Sequence, residues 1–243
     1  MDLKVIGFFS GSGETGTTMT ALSFAEELAE TGRRTLFIYG SGKKGNLYST
    51  VENMKGLDCI RAELLCGVPE REEIEEILNK QGKLYIIGGT DSSYEARLFP
   101  LETFEGILPV LEMLGFEFVI IDGGNRFELA MTVSAINVSD EIFFVLTQQM
   151  KSVLRFKDTD EKVLRPLGLK LRIVLNRYKR DIALLSASDI ENITGRKVQF
   201  TIGEMSSSWQ KEVQGKTLRD RRKYRKEVKQ IAEKVLSEGE PSK

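Results

Sequence analysis

The 243-residue sequence contains no histidine. That one absence removes Ser-His and Cys-His nucleophilic machinery, and every histidine-based metal centre with it. Cysteine is almost as scarce. Cys59 and Cys66 stand at a spacing that fits neither a zinc nor a redox motif, and they read as buried or incidental thiols of a reduced cytosolic protein. No run approaches 18 apolar residues, and "MDLKVIGFFSG" lacks the charged start and long apolar stretch of a secretory signal. The expectation is a cytoplasmic protein with at most peripheral membrane contact. Lys and Arg total 35 against 36 Asp and Glu, so no global charge draws the chain to nucleic acid. Such contact would need a local patch.

What the sequence does have is alternation. "KVIGFF", "TLFIYG", "KLYIIGG", "FEFVIIDGG", "EIFFVLT" and "LRIVLNR" are apolar and β-rich, with polar or helical stretches between them. Continuous apolar character means burial on both faces, as in a parallel sheet. Residues 17–32 place Ala21, Leu22, Ala25, Leu28 and Ala29 on one helical face and stop at Gly32. "PEREEIEEILNKQG" is a second helix, with an acidic first turn and a glycine stop. "LETFEGILPVLEMLG" is a third, which Pro109 is expected to kink or to start. The repeated βα pattern predicts an α/β fold: a doubly wound, mainly parallel sheet with helices on both faces. Without an internal repeat or a Pro/Gly-rich linker, one domain is expected over 1–238. A polar tail follows at 239–243, and "SEGEPSK" as a whole reads as frayed.

The first strand runs into Gly11-Ser12-Gly13-Glu14-Thr15-Gly16-Thr17-Thr18, which has the layout of a phosphate-binding loop. Glycines let a backbone wrap an anion with its N–H groups inward. The helix opening near Thr17 aims its positive end at the same place. Thr18 sits where a hydroxyl would hold Mg²⁺. The lysine position, however, holds Thr17.

This loop, "TALSFAEELAETGRRTLFI", "FVIIDGG" and "RIVLNR" together resemble the MinD/ParA family of deviant P-loop ATPases, over about residues 4–236. That family reads approximately K-G-G-x-G-K-T-T in the loop. Gly13, Gly16 and Thr18 match; Ser12 and Thr17 replace both lysines, Glu14 replaces a glycine, and Met19 replaces the last threonine. The resemblance implies ATP or ADP with Mg²⁺, bound by Gly11 to Met19. It places Asp122 as the carboxylate near Mg²⁺ and the attacking water. Asn176 would read the adenine edge, with Arg177 beside it. The segment from Ser186 to Leu218 would lie beside the base and close the domain.

The departures bear on turnover. A lysine contact to phosphate is worth roughly 1.5–3 kcal/mol. The trans-acting signature lysine compares with an arginine finger, roughly 10³-fold or more in rate. Glu14 adds negative charge to the loop. Tyr39, Gly40 and Ser41 stand where the family has its water-positioning aspartates, so no carboxylate lies between Arg34 and Val51. Nucleotide binding is expected, with hydrolysis weak at most, as in a pseudo-ATPase.

Lys43 and Lys44 read as a solvated loop pair that could reach a phosphate. "GETGTTMTA" is similar to the TadZ/CpaE-like branch of pilus-assembly proteins, many of which carry an N-terminal receiver-like domain; this sequence opens on its first strand. The segment 216–229 carries eight basic residues against two acidic. With Tyr224, Val228, Ile231 and Val235 at helical spacing, it reads as a last amphipathic helix with a solvated basic face. Trp209 reads as local packing near the base edge. Residues 88–104 form a polar loop on the ligand side of the sheet, available to a partner or dimer face.

The expected function is a homodimeric localisation or recruitment protein in pilus or secretion assembly. It would be cytoplasmic, and drawn to a pole or membrane through its partners. The alternatives are a DNA-partitioning ATPase and an ATP-dependent ligase of the same superfamily.

Overall fold

The computed structural model describes residues 3–42, 47–180, 183–206 and 208–239. Lys43, Lys44, the Trp209 side chain and residues 240–243 lie outside them. The first half runs β1 (Lys4–Phe9), α1 (Thr17–Glu30), β2 (Thr35–Ile38), α2 (Arg61–Cys66), α3 (Arg71–Ile77), β3 (Asn79–Gln81) and β4 (Leu84–Ile87). Then come α4 (Thr103–Met113), β5 (Phe118–Gly124), α5 (Ala130–Asn137), β6 (Glu141–Leu146) and α6 (Met150–Thr159). The chain closes with β7 (Lys170–Tyr178), α7 (Ala187–Thr194), β8 (Val198–Gly203), α8 (Ser208–Val213) and α9 (Arg222–Gly239).

The strands form one sheet in the order β3-β4-β2-β5-β1-β6-β7-β8. Every pairing is parallel except the β3–β4 hairpin. The α/β, mainly parallel, doubly wound architecture expected from the alternation is therefore present. β1 sits near the middle between β5 and β6, so its C-terminal end opens at a crevice of the sheet where ligands bind in such folds.

Aromatic packing fixes the helices that matter for this crevice. On one face Phe8, Phe24 and Phe143 interlock with ring centroids 4.9–5.6 Å apart, seating α1 on β1 and β6. All three are fully buried, and each contributes about 1.5–3 kcal/mol by leaving water. On the other face Phe144 and Phe156, 4.7 Å apart, seat α6. The last helix lies against α1. Buried Glu27 accepts hydrogen bonds from Arg219 at 2.7 Å and Arg225 at 2.9 Å, and Tyr224, Val228, Ile231 and Val235 are buried as their spacing predicts.

Several local expectations are corrected. α4 begins at Thr103 and runs four residues past Pro109, so the proline does not set its start. Lacking an N–H, Pro109 leaves the Glu105 carbonyl out of the helical ladder. α3 stops at Ile77, and the chain turns at once into β3 rather than continuing to Gly82. Ser237 and Glu238 belong to α9, not to a frayed tail. Cys59 and Cys66 are exposed, not buried.

Candidate functional site

The loop between β1 and α1 is held at both ends. The Ser10 N–H donates to the Gly124 carbonyl at 2.9 Å, and the Ser10 hydroxyl donates to the Ser12 carbonyl at 2.9 Å. At the far end Gly16 is the N-cap of α1 with φ 82, a left-handed conformation that suits glycine. A Cβ there would stand 2.4 Å from Asn176 Nδ2. That nitrogen donates to the Thr15 carbonyl at 2.8 Å, while Asn176 Oδ1 accepts the Arg177 N–H at 2.9 Å. Asn176 thus brackets the loop to β7. Gly11 does not face the cleft; it packs on α6, where a Cβ would meet Arg155 Cβ at 2.9 Å.

Ser12, Gly13, Glu14, Thr15, Gly16, Thr17, Thr18 and Met19 all line one cleft of about 370 Å³, together with Ser41, Tyr48, Asp122 and Arg177. Inside it the Thr18 hydroxyl donates to Asp122 Oδ2 at 2.6 Å. Asp122, at the C-terminal end of β5, is 1% exposed. Thr17 fills the lysine position with a buried side chain, and its hydroxyl shares a 2.8 Å hydrogen bond with that of Thr15. The two expected ligands of Mg²⁺ are therefore adjacent.

The electrostatics of the cleft are mixed. α1 has fourteen residues, no side-chain cap and no acidic residue in its own first turn, so its positive end opens into the cleft. The charged residues that line the cleft are Glu14, Asp122 and Arg177. Arg177 is its single cation among the described residues. Tyr39, at an aspartate position of the family pattern, is buried, and its hydroxyl donates to the Leu47 carbonyl. Burial, reinforced by the charge of Asp122, raises the Tyr39 pKa well above its usual value, so no base stands there. Backbone strain also gathers here. Of the four non-glycine residues with positive φ among the described residues, Glu14, Tyr48 and Arg177 line this cleft. Such conformations concentrate at ligand sites.

A second cavity of about 90 Å³ adjoins the first, sharing Gly16, Met19, Tyr48 and Arg177. Asn176, Gly203, Glu204, Met205, Leu218 and Tyr224 complete it. Four of these belong to the segment read as lying beside a base. Sequence reasoning missed Tyr48, which carries no motif signal, and took Tyr224 for core alone. Asn176 has its amide nitrogen committed to Thr15 rather than turned outward.

The donors present fit Mg²⁺ rather than a soft metal: one hydroxyl and one carboxylate, both hard oxygen ligands. The bare loop at a helix N-terminus fits a phosphate.

No family model matches the chain. An ATP-binding protein of Methanocaldococcus jannaschii, otherwise uncharacterized, is 28% identical over 212 residues, which cover 84% of this chain and 76% of that protein. Among solved structures, a ParA family ATPase of Chlorobium tepidum matches at a TM-score of 0.79 and 18% identity, over 95% of this chain and 97% of its own. The septum site-determining protein MinD of Pyrococcus horikoshii, complexed with Mg-ADP, matches at 0.77 and 19%, over 96% of each chain. The ATP complex of a single-substitution McdA variant from Cyanothece matches at 0.75 and 16%, over 99% of each. The fold is that of the MinD/ParA P-loop NTPases.

Proposed function

We propose that this chain of MinD/ParA fold binds ATP or ADP with Mg²⁺ as a switch ligand and hydrolyses it slowly if at all. The observation that carries the reading is the Thr18–Asp122 pair beneath the open N-terminus of α1, in a cleft with a single cation among the described residues. Gly13 to Thr17 would hold phosphate through the backbone and the helix dipole. Thr18 and Asp122 would hold Mg²⁺, which when bound supplies positive charge to the phosphate oxygens. No carboxylate replaces the family's water-positioning groups at Tyr39 or Ser41, and neither loop lysine is present. The Pyrococcus and Cyanothece proteins, which hold Mg-ADP and ATP, and the ATP-binding Methanocaldococcus relative support a nucleotide ligand.

The same reading makes the chain a homodimeric localisation or recruitment factor in pilus or secretion assembly, of the TadZ/CpaE-like branch. It places the protein in the cytoplasm, reaching a pole or membrane through partners. The "GETGTTMTA" loop supports that branch, and the Aquifex aeolicus MinC:MinD complex supports partner binding on this fold. A partitioning-type ATPase is the second reading. It is favoured by a groove of about 650 Å³ at the β7–β8 edge lined by Lys179, Arg180 and Lys223. Duplex binding that collapses with added salt would support it.

Titration of nucleotide-stripped protein with a fluorescent ATP analogue, with and without Mg²⁺, tests the leading reading. Saturable, Mg²⁺-dependent binding is expected. Absence of binding at millimolar nucleotide would leave only a protein-recruitment scaffold.

A further inference from the structure

We infer that Arg177 is the residue that compensates the charge of the polyphosphate, in place of the two lysines the loop lacks. The inference rests on the nucleotide reading of the cleft and specifies its chemistry. The loop offers backbone N–H groups, hydroxyls and the end of a helix, none of which carries a full positive charge. Its own charged residue, Glu14, has the wrong sign, as does Asp122. A polyphosphate brought there is bound more tightly where a protein cation adds to its metal ion, and among the described residues Arg177 is the one that lines the cleft.

Three further observations single it out. Arg177 forms no ion pair with a carboxylate among the described residues, whereas its near neighbour Lys179 is paired to Glu204. It lines both cavities described above and a third of about 270 Å³ on the other side of the loop, bounded by Ser12 to Thr15, Gln148, Lys179 and Glu204, so it stands at their junction rather than in one of them. Its backbone is held at φ 54, a strained conformation for a side chain of this kind, and the hydrogen bond from its N–H to Asn176 Oδ1 helps to hold it. Asn176 also fixes the loop at Thr15, so one side chain sets both the phosphate loop and the cation beside it. A guanidinium bonds phosphate oxygens in a bidentate, charge-assisted geometry.

The test is the affinity of adenosine, AMP, ADP and ATP for wild type, Arg177→Gly and Arg177→Lys. Glycine suits the left-handed backbone, so the first variant removes the charge while relieving strain, and its Tm should not fall. The inference predicts that Arg177→Gly weakens ATP at least about tenfold, ADP less, and adenosine hardly at all. Arg177→Lys should recover most of the loss. An equal loss for all four ligands, or none for ATP, would overturn the role in phosphate binding while leaving a nucleotide site in place. A wild-type protein that binds none of the four would overturn the nucleotide reading itself.

Discussion

The Thr18 hydroxyl donates to the Asp122 carboxylate across 2.6 Å, joining the first turn of α1 to the end of β5. These residues lie 104 positions apart, and they meet because β1 and β5 are parallel neighbours, with Phe8 opposite Asp122. Asp122→Asn keeps an acceptor for Thr18 and removes the charge. Nucleotide affinity in Mg²⁺ should fall by about tenfold or more, and affinity in chelator should change little. Equal affinity with and without Mg²⁺ in the wild type would contradict a metal role.

Glu14 should oppose the ligand. It lines the same cleft as Arg177 and is exposed, so its repulsion is screened and modest. Glu14→Gln should tighten ATP several-fold at low salt, with the gain shrinking as salt rises. Titration at two ionic strengths checks both the sign and the screening.

Gly16→Ala should damage the loop itself. The left-handed backbone alone costs a non-glycine residue about 1–3 kcal/mol, and the added carbon would crowd Asn176 Nδ2. Denaturant unfolding should show lower stability, and nucleotide binding should be lost below the midpoint.

A pH effect is expected where α1 meets the start of the C-terminal region. Burial raises the Glu26 pKa above 4.5, against the lowering influence of Arg219, Thr217 and Gln81. Folding then favours the protonated form. Its contribution is fully present below pH 4.5 and is lost as pH rises through the raised folded value. Relative to wild type, Glu26→Gln should therefore gain more Tm at neutrality than at acid pH. An unchanged pH profile would contradict that assignment.

The interior of the sheet was legible because β1, β5 and β6 are buried on both faces and so read as unbroken apolar runs. The strands that were missed, β3 and β8, are the two edges. β3 is three residues of Asn, Lys and Gln, and β8 alternates exposed and half-buried positions, so neither carries such a run. The loop from Ser12 to Met19 was legible from its glycines and its place after the first strand. Tyr48 was not, because its position depends on long-range contacts. Tyr39 fixes the adjacent Leu47 carbonyl, and Ser49 and Thr50 hydrogen-bond to Gln81 on the edge hairpin. The role of Asn176 as a bracket for the loop was likewise invisible, since it needs the 161-residue separation to Thr15 to be closed by the fold.

The proposed function requires a site that holds Mg-nucleotide and hydrolyses it slowly if at all. Mixing Mg-ATP with excess nucleotide-stripped protein, then separating bound ATP from ADP over time, tests it most directly. ATP is expected to stay on the protein and to be recovered uncleaved. Rapid conversion of all the bound ATP to ADP would contradict the proposed slow hydrolysis, and failure to retain any nucleotide would contradict the proposed site.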